Sequence, residues 1–200
     1  MISHLFFDIG GVLLTNGWDH AERARAAVKF GLDAAEVERL HAPRAAALET
    51  GALSLDDYLR QVIFTRPRAF TPAEFIAFMQ SCSQPLPESL ALLAEVAAAG
   101  RVRLGALNNE SRELNLYRIG TYGLAEYFSV FCSSCYLGAR KPGAEIFRRA
   151  SDIVHADPQN CGFVDDREEN LEAPRALGFR CFHFTTAPAL RGDLTAVGLL

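Results

Sequence analysis

Polar residues that close four short apolar runs constrain this chain more than any other feature. Asp8 ends Leu5-Phe6-Phe7-Asp8, and Asn108-Asn109 end the run from Val102 to Leu107. Lys141-Pro142 follow the run from Phe128 to Cys132, and Asp165-Asp166 end Cys161-Gly162-Phe163-Val164. Short β-rich apolar runs, each followed by a helical pattern, predict parallel strands of an α/β sheet. In such sheets ligands sit outside the carboxyl ends of the strands, so the four stations are expected to converge there. An acid, an amide pair, a lysine and an acid pair meeting at one point can hold an oxyanion and a divalent metal ion.

Residues 17–84 read differently, with helical periodicity and helix-start signals but no strand. Asp33-Ala34-Ala35-Glu36, Ser54-Leu55-Asp56-Asp57 and Thr71-Pro72-Ala73-Glu74 each place a capping residue three before an acid, which suits a capping box and the positive end of the helix dipole. The apolar spacing of Leu55, Tyr58, Leu59, Val62 and Ile63, and of Phe75, Phe78 and Met79, suits helices packed on one another. The α/β pattern resumes at Pro87, which opens a helix through Ala99 closed by Gly100. Strands are predicted near 102–107, 128–133, 161–165 and 180–184, with helices near 111–119, 143–154 and 168–177. The expected fold is a doubly wound, Rossmann-like parallel sheet of about five strands built from residues 1–16 and 85–200, with an all-helical insertion over 17–84. Gly17 and the Gln84-Pro85-Leu86-Pro87 segment are the expected hinges between the two parts.

The motifs Phe7-Asp8-Ile9-Gly10-Gly11-Val12-Leu13, Asn108-Asn109, Gly138-Ala139-Arg140-Lys141-Pro142 and Phe163-Val164-Asp165-Asp166-Arg167-Glu168-Glu169-Asn170 occur in a fixed order at strand ends. In order and spacing the chain resembles the haloacid dehalogenase superfamily over nearly its whole length. Most members of that family are magnesium-dependent phosphatases, so the resemblance implies a phosphomonoester hydrolase with a helical cap over 17–84. Its expected substrate is a small phosphorylated metabolite.

Asp8 is the candidate nucleophile, since a carboxylate can attack phosphorus and divide one hard displacement into two easier ones. The resemblance assigns the Gly10 carbonyl to the metal. Lys141 is the candidate positive charge that holds nucleophile and phosphate together. Asp165 and Asp166 are the candidate metal acids, because magnesium prefers a few carboxylate oxygens with water and phosphate, and adjacent acids near Asp8 would repel without a cation. Asn108 stands where the family has a phosphate-binding Ser or Thr, and Asn109 matches the asparagine that often follows. Both are expected to contact phosphate. Trp18, Asp19 and His20 follow the first turn and are the expected specificity residues.

One position departs from the family pattern. A second aspartate two residues after the nucleophile usually protonates the leaving alcohol, and here that position is Gly10. A positioned acid contributes about 10²–10⁴ in rate. Three explanations stand open: a substrate with a good leaving group, such as an anomeric or acyl phosphate; proton transfer by His20, Glu110 or water; or slow turnover or none.

Composition narrows the remaining classes. The net charge is −4, with no run of Lys or Arg, which argues against a nucleic-acid surface. No apolar stretch approaches the roughly 20 residues that span a bilayer. The amino terminus enters the first strand at once, leaving no room for a signal peptide. Five cysteines, an odd number, suggest reduced thiols in a cytoplasm. Cys132-Ser133-Ser134-Cys135 has redox spacing but sits at a strand end rather than a helix start, and no second pair completes a zinc site. A metal-independent dehalogenase would also use an aspartate nucleophile, but has no need of Asp165-Asp166. A phosphonate-cleaving enzyme needs a lysine in the insertion, where only Lys29 stands. Gly10 and Asn108 keep open a non-catalytic phosphate-binding member.

Overall fold

The computed structural model describes residues 1–200. Strands β1 (His4–Phe7), β2 (Arg103–Ala106), β3 (Val130–Phe131), β4 (Cys161–Asp165) and β5 (Arg180–His183) form one parallel sheet in the order β3-β2-β1-β4-β5. The chain builds the sheet first to one side of β1 and then to the other, so the order reverses beside β1, where doubly wound sheets open their crevice. Every residue of β1 is buried, as expected for a strand with helices on both faces. Its side chains alternate. Leu5 and Phe7 join one apolar cluster with Leu93, Val96 and Leu194, whereas Phe6 joins the other with Ile146, Phe147 and Phe163. Register then places the site. Phe7 pairs with Ala106 on one side and Val164 on the other, so Asp8 and Asp165 leave the sheet side by side.

Between β1 and helix α6 (Pro87–Ala99) lie five helices and no strand: α1 (His20–Phe30), α2 (Ala34–His41), α3 (Ala45–Glu49), α4 (Leu55–Val62) and α5 (Pro72–Ser81). Asp33 accepts from the backbone of Ala35 and Glu36, Ser54 from Asp57, and Thr71 with Glu74 completes a reciprocal capping box. These satisfy amide donors that a helix start leaves free. Tyr58, Phe75 and Met79 centre the apolar cluster of the insertion, which also takes in Leu114 of helix α7 (Arg112–Thr121). Helix α7 thus serves both parts.

The remaining helices are α8 (Ser134–Leu137), α9 (Ala144–Ile153), α10 (Glu172–Leu177) and α11 (Ala187–Ala196). Several details differ from the sequence expectation. Strand β3 is two residues long, because only Gly105 and Ala106 of β2 lie beside it. The helix expected over 168–177 is a 3₁₀ turn at Glu168–Asn170 followed by the shorter α10. Helix α11 was not anticipated, and α1, inside the expected all-helical span, was given no start of its own. Their start signals are nonetheless present, since Asp19 accepts from the amide of Glu22 and Thr186 from that of Ala189. Gly17 is no open hinge. A Cβ there would lie 2.1 Å from the Arg118 guanidinium, and the adjoining Thr15 bonds the backbone of Cys82 and Gln84. Cys132 and Cys135 are free and buried, and burial pushes their thiols up to about 12 and about 11, the opposite of a reactive pair. No helix is long and apolar enough to cross a membrane.

Candidate active site

The sheet edge brings three carboxylates and one ammonium together. Lys141 Nζ lies 2.9 Å from Asp8 Oδ1 and 2.6 Å from Asp165 Oδ2, with the lysine 2% exposed. Asp8 Oδ1 also accepts from the Ile9 amide at 2.8 Å. Its Oδ2 takes no protein donor. Burial pushes the Asp8 carboxyl up to about 7 against the pull of Lys141, and Asp165 and Asp166 push the same way. Burial pulls Lys141 down, but Asp8 and Asp165 outweigh it and hold the ammonium above its usual range.

Asp165 and Asp166 do different things. Both Asp165 oxygens are taken: Oδ1 by the Arg167 amide and Asn170, Oδ2 by Lys141 and Asn170. Asp166 turns over Gly11, whose φ of +80° and bare Cα leave room for it; a Cβ there would meet the Asp166 carboxylate at 2.3 Å. Asp166 Oδ1 is buried without a hydrogen-bond partner, and burial followed by the Asp165 charge raises its pKa. One oxygen from each of Asp8, Asp165 and Asp166 lies within 4.8 Å of the others. Three carboxylates against one ammonium leave a site short of positive charge. A hard divalent cation of magnesium's size fits that donor set.

The two asparagines also part company. The Asn108 side chain is 1% exposed and closed into a triangle, donating to Asn115 Oδ1 at 3.0 Å and accepting from Ser133 Oγ at 2.8 Å. Each polar end has a partner inside the fold, and Asn108 is not among the residues that line the cleft. Contact of its amide with phosphate stays an expectation from sequence beside this structural role. Asn109 clamps the backbone of Lys141, donating to its carbonyl at 3.0 Å and accepting from its amide at 2.9 Å. Its side chain orients the lysine, leaving its own backbone N–H without a protein acceptor.

Above these groups a cleft of about 600 Å³ runs under the helical insertion, and only three of its 21 lining residues are hydrophobic. Trp18, Asp19 and His20 all border it, although Asp19 also caps α1 and Trp18 donates to Tyr58. The sequence did not single out Arg118 or Glu49. Arg118, 2% exposed, is held by Glu110, Ser83 and the Thr15 carbonyl, and its guanidinium fills the space beside Gly10 and Gly17. Those two glycines were its only trace in the sequence. Glu49 ends α3 and lines the cleft, its buried Oε2 without a hydrogen bond and 3.3 Å from Arg140 Nε. The turn glycine Gly51 was the signal that a tip of the insertion stands here.

The model of the haloacid dehalogenase-like hydrolases matches residues 2–178. The chain belongs to this family. D-ribitol-5-phosphate phosphatase of Bacteroides thetaiotaomicron is 25% identical over 226 aligned positions, covering 98% of both proteins. Flavin mononucleotide hydrolase 1 of Arabidopsis thaliana is 32% identical over 76 residues, which are 38% of this chain and 31% of that protein. Among solved structures, a family enzyme from Bacteroides thetaiotaomicron in complex with magnesium and inorganic phosphate superposes with a TM-score of 0.76 at 18% identity, covering 92% of this chain and 95% of that one. A HAD-like hydrolase from Porphyromonas gingivalis gives 0.75 at 21% identity, covering 97% and 98%. At such identities the structures show a shared fold. This haloacid dehalogenase-like hydrolase therefore stands among enzymes whose named relatives are phosphatases.

Proposed function

We propose that the protein is a magnesium-dependent phosphomonoester hydrolase acting through an aspartyl phosphate on Asp8. The observation that carries this reading is the division of labour among the acids: Asp8 keeps one free oxygen, Asp165 is spent on Lys141, and Asp166 Oδ1 is buried with nothing to bind it. Asp8, the Gly10 carbonyl and Asp166 would hold the ion, with Asp165 beside it. Magnesium, when bound, supplies charge that neutralises the phosphoryl oxygens and permits Asp8 to ionise. Lys141 fixes Asp8 and offsets charge on the transferring phosphoryl group. Asn109 positions that lysine through its backbone, and its own backbone N–H, which has no protein acceptor, is available to an oxyanion.

The substrate is proposed to be a small, hydroxylated phosphate ester. A cleft lined almost wholly by polar groups binds hydroxyls better than hydrocarbon, in keeping with the D-ribitol phosphate in the name of one relative. Trp18, Asp19 and His20 would face the part of the substrate beyond phosphate. The test is a panel of sugar and polyol phosphates assayed with magnesium and with chelator. Activity that vanishes in chelator and returns with magnesium supports the reading. Turnover of 2-haloacids that persists in chelator would replace it with metal-independent dehalogenation.

A further inference from the structure

We propose that Glu49, carried over the cleft by the helical cap, donates the proton to the leaving oxygen and so takes over the work that Gly10 cannot do. This rests on the phosphatase reading of the same site and adds to it the missing acid. The groups that border the cleft can be sorted by what they have free. Glu110 has none: Oε1 accepts from the amide and hydroxyl of Ser111, and Oε2 pairs with Arg118 at 3.2 Å. His20 is 79% exposed in its side chain and leans on Glu38 at 3.3 Å. His41 is spent on Tyr58, and burial lowers its pKa to about 4, so it carries no proton to give at neutral pH. Asn16 is an amide.

Of the remaining carboxylates, Asp19 caps α1 through the Glu22 amide and Glu169 is exposed; Glu49 keeps a buried oxygen that makes no hydrogen bond. The charged groups facing it are Arg140, whose Nε lies 3.3 Å from Oε2, and at longer range Glu110, Arg167 and Lys141. Burial outweighs Arg140 and raises the Glu49 carboxyl above its ordinary range, the direction a general acid needs. The core holds this tip of the cap in place. Ser134 Oγ donates to the Glu49 carbonyl at 2.6 Å, and Gly51, at φ +74°, packs so tightly that a Cβ would meet the Cys135 carbonyl at 2.6 Å. The contacts that seat the cap tip on the core therefore also place the acid over the cleft.

In the first step Asp8 Oδ2 forms a bond to phosphorus while the bond from phosphorus to the leaving oxygen breaks. The electron pair goes to that oxygen, which takes the Glu49 proton and departs as the alcohol. In the second, a water oxygen attacks phosphorus, its proton returns to Glu49, and Asp8 is released with inorganic phosphate. Ester and water go in, alcohol and phosphate come out, and Glu49 ends protonated as it began.

The test compares wild type, Glu49→Gln and Glu49→Asp in the full chain with magnesium, on alkyl phosphates and on p-nitrophenyl phosphate, whose phenolate leaves without protonation. For Glu49→Gln we expect kcat/KM to fall about 10²–10⁴-fold on alkyl phosphates and to stay within a few-fold on p-nitrophenyl phosphate. The plot of log(kcat/KM) against leaving-group pKa should steepen, and the high-pH decline in rate that belongs to a protonated acid should disappear. Glu49→Asp should recover part of the alkyl activity. Melting curves of the variants within a few degrees of wild type exclude misfolding as the cause, and Gly51→Ala, which pushes the tip away without touching the carboxyl, should reproduce the alkyl-selective loss. Equal losses on both substrate classes, or an unchanged slope, would overturn the role of Glu49. If wild type hydrolyses p-nitrophenyl phosphate, the phosphatase reading survives either result. If it hydrolyses neither class, that reading falls and this one with it.

Discussion

Asn108 and Asn109 are chemically identical neighbours, and the fold gives them opposite duties. Asn108→Ala would leave Ser133 and Asn115 short of partners in a dry interior, a loss of about 1–3 kcal/mol for each group left unpaired. The expected result is a lower denaturant midpoint with kcat of the folded enzyme changed only several-fold. Asn109→Ala instead frees the backbone of Lys141, so kcat should fall at least about tenfold, the equivalent of roughly one lost hydrogen bond in the transition state. Stability and steady-state measurements on both variants check the contrast. A raised inhibition constant for inorganic phosphate in Asn108→Ala, at unchanged stability, would restore the phosphate contact expected from sequence. Gly10→Asp is a second test. Its Cβ would sit 3.7 Å from Arg118 Nη1 and 3.1 Å from Asn16 Oδ1, so the guanidinium should hold the new carboxylate ionised. No gain on alkyl phosphates is expected, because the place of the usual acid already belongs to an arginine.

Among the elements, the helices of the cap are tied together by a polar chain as well as by apolar packing. The indole N–H of Trp18 can only donate, so Tyr58 accepts it at 2.9 Å, and the same hydroxyl lies in hydrogen-bond contact with His41 Nδ1, also at 2.9 Å. Burial, with Arg23 nearby, disfavours the charged imidazole. With the folded pKa of His41 lowered to about 4 by burial, with Arg23 adding to the shift, its contribution to stability is full above about 6.5, the unfolded value. It is lost as pH falls from there toward 4. Thermal melts at pH 7.5 and 5 should therefore differ more in wild type than in His41→Gln, with Trp18, the single tryptophan, as the fluorescent reporter. The helix starts at Asp33, Ser54 and Thr71 could be read directly, because a cap bond spans three residues and is written locally. Helices α1 and α11 carried the same signals at Asp19 and Thr186. The first was obscured because Asp19 both caps a helix and borders the cleft.

Across the whole molecule, the parallel sheet, the helical insertion and the cleft meet over a cluster of negative charge that folding alone leaves uncompensated. A cation that binds only the folded state stabilises it by about 2.7 kcal/mol at a hundred times its dissociation constant. Magnesium should accordingly raise the melting temperature by several degrees, and Asp166→Asn, which removes the free carboxylate, should abolish most of that rise while leaving the metal-free melt unchanged or higher. An equal magnesium shift in Asp166→Asn would exclude that residue as a ligand. The sequence by itself determined the α/β class, the strand ends and the gathering of Asp8, Lys141, Asp165 and Asp166 at one edge, because apolar periodicity and turn residues act over a few neighbours. Tertiary structure alone decided which polar atoms are used and which are left over. Lys141 meets Asp165 across 24 residues, Asn109 meets the Lys141 backbone across 32, and Ser134 meets Glu49 across 85. Such pairings depend on how distant elements pack, and no local pattern encodes them. The oxygens of Asp166 and Glu49 that lack a hydrogen bond exist only as what that packing leaves behind.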